Sequence, residues 1–256
     1  MVYSAEFRDR VEEIRGQCPS VKLWIEVGEA PAPDFAIAYE KLANEGDGAP
    51  LAIERDPNDL ILLYTGGTTG MPKGVMWTHD IVMSAQLSSL RAINNNADPP
   101  SDIEGFLEHV RARGMHVRQL PAAPMMHATG MTVAMGAMVA GGCVVTLPTT
   151  TKFDAAELWR EASRHKVSSI TIVGDAFAKP MLAALEQAPG EFDLSALQSI
   201  VSSGVVWSTP VKQGLIKHIQ QVILLDSLGS TEAPACGATI STKDGETRET
   251  LDFRIG

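Results

Sequence analysis

Two kinds of apolar pattern alternate along the chain. Short aliphatic and β-branched runs, the mark of buried strands, stand at Leu23–Val27, Leu60–Thr65, His116–Leu120, Cys143–Leu147, Ser169–Val173, Ser199–Ser202 and Val222–Leu225. Between several of them, helical spacing runs over Ile81–Ile93, Thr129–Ala140, Ala155–His165, Met181–Gln187 and Pro210–Gln220. Asp154 followed by Glu157 is a capping-box pair, and Ser208 or Thr209 before Pro210 sets a proline in a first helical turn. Strand and helix in alternation predict an α/β fold with largely parallel sheets flanked by helices.

The punctuation settles two further points. Ala128–Thr151 holds no charged residue, but Gly141-Gly142 and Pro148 cut it into a small-residue helix and a short strand. Neither piece approaches the ~20 apolar residues that a membrane-spanning helix needs. Asn94–Glu104 is polar and proline-containing, an exposed loop that predicts a boundary between two α/β subdomains, about 1–100 and about 101–256. Asp193–Leu197 and Lys243–Thr250 read as surface connections.

Charge and cysteine usage narrow the function classes. Thirty-one acidic against 21 basic side chains leave a formal charge of −10, which speaks against a nucleic-acid binder. Cys18, Cys143 and Cys236 are far apart and form no C-x-x-C pair, so neither a disulfide scaffold nor a structural zinc site is expected. A reducing compartment follows, and the charged N-terminus shows no secretory leader, so a cytoplasmic location is expected.

The chemistry concentrates after the strand Leu60–Leu63, in Tyr64-Thr65-Gly66-Gly67-Thr68-Thr69-Gly70-Met71-Pro72-Lys73-Gly74-Val75. Glycines at 66, 67, 70 and 74 let backbone N–H groups turn toward a ligand. Thr65, Thr68 and Thr69 add hydroxyls and Lys73 a mobile cation, the combination that holds a polyphosphate. A Walker loop requires Gly-Lys followed by Ser or Thr, and Lys73 lies between Pro72 and Gly74. The glycine spacing also fails the dinucleotide pattern G-x-G-x-x-G.

The segment resembles the phosphate loop of the adenylate-forming enzymes, differing only at Gly66, where serine is commoner. The resemblance extends to the AMP-forming acyl-CoA synthetases, and more narrowly to ligases for long-chain fatty acids and steroid side-chain acids. It implies the large N-terminal domain of the adenylate-forming fold. Pro124-Met125-Met126-His127-Ala128-Thr129-Gly130 is similar to the Pro-x-x-His-x-x-Gly motif and implies His127 beside the acid's carboxylate; on the residues alone, His127 reads equally as a helix-start histidine. Ser203-Gly204-Val205 resembles the segment lining the adenine site. Asp226-Ser227-Leu228-Gly229-Ser230-Thr231-Glu232 resembles the aromatic-Gly-x-Thr-Glu motif, with Thr231 near phosphate, Glu232 holding Mg²⁺, and Leu228 where relatives often carry tyrosine. The cofactor-binding set implied is therefore Thr65, Gly66, Gly67, Thr68, Thr69, Gly70, Lys73, Ser203, Gly204, Val205, Asp226, Ser227, Leu228, Gly229 and Thr231, with His127, Lys73 and Glu232 as catalytic groups.

The resemblance implies ATP and Mg²⁺ in the first step, which joins a carboxylate to the α-phosphate, and coenzyme A in the second, which takes the acyl group. It covers the middle of a family member. The ribose Thr-Gly-Asp motif and the small C-terminal domain with the adenylation lysine have no match among the 256 residues. Weak turnover by this chain alone is expected on that ground, and a homodimer through the apolar surface those parts would cover. The competing reading is a nucleotide-binding or interaction module that keeps the loop without the reaction.

Overall fold

The computed structural model describes residues 1–49, 51–66, 70–93, 102–112, 117–149, 152–232, 236–245 and 254–255. The chain forms two compact units, Met1–Arg55 and Asp56–Gly256, so the division falls well before the loop near residue 100. Most of that loop, 94–101, lies outside the described residues, as does His116.

In the first unit, β1 (Val2–Ser4), β2 (Ile25–Val27) and β3 (Ile37–Ala38) form a parallel three-stranded sheet with α1 (Arg8–Ile14) and α2 (Tyr39–Asn44). Tyr3, Val11 and Trp24 make its core, the two rings meeting edge-on at 6.4 Å. Glu26 is buried and takes a hydrogen bond from Arg8 Nε at 3.0 Å; the guanidinium holds this carboxyl below the usual carboxylate range.

The second unit opens with an antiparallel pair, β4 (Leu60–Thr65) and β5 (Lys73–Thr78), followed by α3 (His79–Ile93) and α4 (Ile103–Ala112). Leu63, Trp77 and Val82 pack with Ala128, Met131 and Met135, which ties the hairpin to the rest of this unit. The main sheet has seven strands: β6 (Arg118–Pro121), β7 (Cys143–Val144), β8 (Ser169–Ile172), β9 (Ser199–Ser203), β10 (Ile223–Leu228), β11 (Gly237–Ser241) and β12 (Arg254–Ile255). Their spatial order is β12-β11-β10-β9-β8-β6-β7; the strands from β7 to β10 are parallel, and β11 and β12 join antiparallel at one edge.

Period-two alternation gives the sheet unlike faces. Leu120, Ile170, Ile200 and Leu224 stand in register and are fully buried against α6 (Ala155–Arg164), α7 (Gly174–Gln187) and α8 (Thr209–His218). Asp154 caps α6 as its spacing predicts, accepting from Glu157 N at 3.0 Å. On the opposite face lies α5 (Ala128–Val139). Helix α7 starts at Gly174, seven residues ahead of the Met181 start read from the pattern, and runs through Pro180. Burial of Ala178 and Met181, with Phe177 alongside, offsets the hydrogen bond that Pro180 cannot donate. Among the described residues, no helix is long and apolar enough to cross a membrane.

Candidate active site

The parallel strands end together on the side where β9 and β10 run into Ser203-Gly204 and Ser227–Thr231. In open α/β sheets this carboxyl end is where ligands bind. A cavity of 290 Å³ opens there, lined by Ser203, Gly204, Ser227, Gly229, Ser230 and Thr231 from the strand ends, by Thr171 and Val201 from the sheet face, and by Ala128, Thr129, Thr132 and Val133 of α5. Trp77 completes the wall, and its indole Nε1 donates to the Thr231 carbonyl at 2.9 Å. That bond joins the strand leaving the phosphate loop to the Thr-Glu motif. The motif singles out Thr231, but no local sequence signal singles out Trp77 as its partner, since 154 positions separate them.

Thr65 closes β4 and Lys73 opens β5, paired in register, with the Thr65 hydroxyl 3.4 Å from the Lys73 carbonyl. Lys73, Gly66 and Gly70 are exposed; Gly67, Thr68 and Thr69 lie outside the described residues. His127 precedes α5 with extended backbone, its N–H donating to the Pro124 carbonyl at 3.0 Å and its side chain exposed. The spacing to Gly130 has a steric cause: a Cβ there would lie 2.5 Å from the carbonyl oxygens of Ala123 and Pro124. Only glycine lets the first turn of α5 sit back on the segment that carries His127.

Gly204 has φ +95°, a left-handed conformation that turns the chain away from β9 at the cavity edge. The segment after it is clamped to α7: the Asp175 N–H donates to the Val206 carbonyl at 3.1 Å, and Asp175 Oδ1 accepts from Ser208 N at 2.9 Å and Ser208 Oγ at 3.1 Å. Burial pulls the Asp175 carboxyl upward, but the Ser208 hydrogen bonds and Lys179 outweigh it and hold the group below the usual carboxylate range.

Of the residues the motifs single out, Ser203, Gly204, Ser227, Gly229 and Thr231 therefore line one cavity. Val205 and Leu228 are half-exposed outside its lining, and Glu232 is exposed directly beyond Thr231. Asp226 stands apart from this group. Its side chain falls on the α8 side of β10, is 2% exposed, and accepts from Lys212 Nζ at 2.9 Å, while Lys212 lies 5.4 Å from the Trp207 ring centroid. Alternation along β10 explains the placement: Ser227 faces the cavity, so Asp226 faces the core.

Residues 2–255 match the family described as AMP-binding enzyme, and the chain belongs to that family. It is 33% identical over 240 residues to the medium-chain acyl-CoA ligase Mig of Mycobacterium avium, covering 92% of this chain and 42% of that protein. It is 32% identical over 267 residues to a medium/long-chain-fatty-acid and 3-oxocholest-4-en-26-oate CoA ligase of Mycolicibacterium smegmatis, covering 98% and 47%. In fold it is similar to the anthranilate CoA ligase AuaEII, solved with anthranoyl-AMP, with a TM-score of 0.71 and 20% identity over 96% of this chain and 43% of that one. The chain spans just under half the length of the relatives it matches.

Proposed function

We propose that this chain carries the adenylate-binding portion of an AMP-forming acyl-CoA ligase, which joins a hydrophobic carboxylic acid to the α-phosphate of ATP, releases pyrophosphate, and passes the acyl group to the thiol of coenzyme A. The observation that carries the reading is the Trp77–Thr231 bond, which ties the phosphate-loop hairpin to the cavity lined by Ser203, Gly204 and Gly229. The acid class rests on the relatives, whose names specify medium- and long-chain fatty acids and 3-oxocholest-4-en-26-oate. The three free cysteines support work in the reducing cytoplasm.

Both reactants of the first step are anions, so positioning and charge stabilisation dominate and no protein nucleophile is required. Lys73, exposed at the start of β5, supplies positive charge to the departing pyrophosphate. The hydroxyls of Ser227, Ser230 and Thr231 offer donors to the nucleotide, and Gly204 and Gly229 let it approach the backbone. His127, at the mouth of α5, holds the acid's carboxylate. Among the described residues no three His, Cys, Asp or Glu side chains cluster, and Glu232 stands as a single exposed carboxylate. Such a donor set fits Mg²⁺ shared with phosphate oxygens, where the ion would neutralise charge on the triphosphate.

The test is an acyl sulfamate of adenosine, a non-hydrolysable stand-in for the acyl-adenylate that needs no turnover. Joining the two ligands is expected to give binding about a hundredfold or more tighter than AMP alone. An acyl sulfamate that binds no better than AMP would leave a nucleotide-binding module without an acid site, and binding of neither would end the proposal.

A further inference from the structure

Trp77 does more in the hairpin than fill space. By alternation, Thr65 on β4 and Lys73, Val75 and Trp77 on β5 share one face, with Thr65 opposite Lys73 and Ile61 opposite Trp77. Leu63, Val75 and Trp77 form the apolar part of that face, over Ala128 and Met131 of α5. Lys73 and Trp77 are four residues apart, so the cation beside the phosphate loop stands ~13 Å along the strand from the indole. The ring is 6% exposed, yet it reaches the wall of the nucleotide cavity. Packing at this position would be served by any large apolar ring; an N–H aimed at one carbonyl is more specific than that.

The acceptor gives the bond its meaning. Strand β10 ends at Leu228, and residues 229–232 belong to no helix or strand. No ladder fixes the peptide planes of such a segment, so a bond from outside has to orient them. The Thr231 carbonyl belongs to the peptide that leads into Glu232. The 2.9 Å bond from Trp77 Nε1 therefore holds the plane from which the Glu232 side chain departs.

We infer that Trp77 is a positioning residue, which through the Thr231 carbonyl holds the Thr231–Glu232 segment at a fixed separation from Lys73, so that the two grip one triphosphate together. The inference rests on the proposed function, in which Lys73 meets the departing pyrophosphate and Glu232 shares an ion with the phosphate oxygens. AMP lacks the β- and γ-phosphates. It draws on the strand-end groups Ser203, Gly204, Ser227 and Gly229 and not on that separation.

The experiment is titration calorimetry of Mg·ATP and of AMP into this chain and two variants at about pH 8, where histidine is neutral. Trp77→Phe keeps an aromatic ring and removes the donor. Trp77→His gives up bulk and keeps an N–H the same number of bonds from Cβ as the indole's. Trp77→Phe is expected to weaken Mg·ATP about tenfold, the worth of one hydrogen bond, and AMP by less than about twofold. Trp77→His should stay nearer to wild type for Mg·ATP, although its ring is the smaller. Packing alone would place Trp77→Phe nearer to wild type; that order, equal losses in the two variants, or an equal loss of both nucleotides would overturn the inference while leaving the nucleotide site standing. A further reading needs no variant. Of the four tryptophans, Trp24, Trp159 and Trp207 lie buried in other cores, so the change in wild-type indole emission on saturation with Mg·ATP reports Trp77 and should exceed the change with AMP. Emission that Mg·ATP leaves unaltered would overturn the inference whether or not either variant folds. Binding of neither nucleotide by the folded wild-type chain would remove the proposed function, and the inference with it.

Discussion

On the side of the main sheet that meets α6, α7 and α8, Leu120, Ile170, Ile200 and Leu224 stand in one fully buried row. One residue back along the same strands, on the side that meets α5, the row reads Gln119, Ser169 and Ser199, bordering open cavity. The same strands thus serve two ends. The period of two assigns alternate residues to close packing and to a ligand-sized space, so neighbours in sequence answer to different selection.

The sharpest break of this comparison is at the one buried ion pair described on the packed side. Lys212→Ala should cost about 3–5 kcal/mol in urea unfolding, because Asp226 is left charged and without its ammonium in the interior. Lys212→Met with Asp226→Leu should recover most of that loss, since an apolar pair of similar volume replaces two desolvated charges.

A pair of adjacent truncations comes next in size. Ile200→Ala, on the packed face and 0% exposed, should cost about 3 kcal/mol. Val201→Ala, which enlarges an existing cavity, should cost about 1 kcal/mol or less. Equal losses would deny that the faces differ.

Asp175 adds a pH dependence at the junction of α7 with the Ser203–Ser208 segment. Its carboxyl is held below its ordinary pKa in the folded state, so its contribution is present at neutral pH and disappears as pH falls through the folded value. Asp175→Asn should be about 1 kcal/mol less stable than wild type near pH 7, with the gap closing below about pH 4, as followed by thermal unfolding at several pH values. The smallest effect belongs to the cavity face. Ser169→Val/Ser199→Val removes both partners of one hydrogen bond and should change stability by no more than about 0.5 kcal/mol.

Much of the larger unit is legible in the residue pattern, because branched runs such as Ser169–Ile172 and the capped helix after Asp154 satisfy local and tertiary demands together. The first unit is less so: β1, β3 and α2 are too short to display a period, and the strands are held by long-range pairing with β2 and, for β1, by packing of Tyr3 against Trp24. Helix α7 hides behind Pro180, whose local cost tertiary burial overrides. At the site, the glycines, threonines and Lys73 of residues 64–75 make a phosphate-loop candidate from residue chemistry, whereas the Thr-Glu motif is read only through a family resemblance. The Trp77–Thr231 bond and the Lys212–Asp226 pair are long-range facts with no periodic trace. The polar rung beneath α5 is visible in the alternation of 199–203, yet its meaning depends on which face the helices leave open.

The most direct measurement is titration calorimetry of Mg·ATP into this chain, with Lys73→Ala alongside. Saturable binding that Lys73→Ala weakens about tenfold or more, while the variant's melting temperature stays unchanged, is the predicted result, since Lys73 is exposed and the proposed function assigns it to the phosphates. Equal affinity in the two proteins, or no binding by a folded wild-type chain, would contradict the account of this cavity as a working nucleotide site.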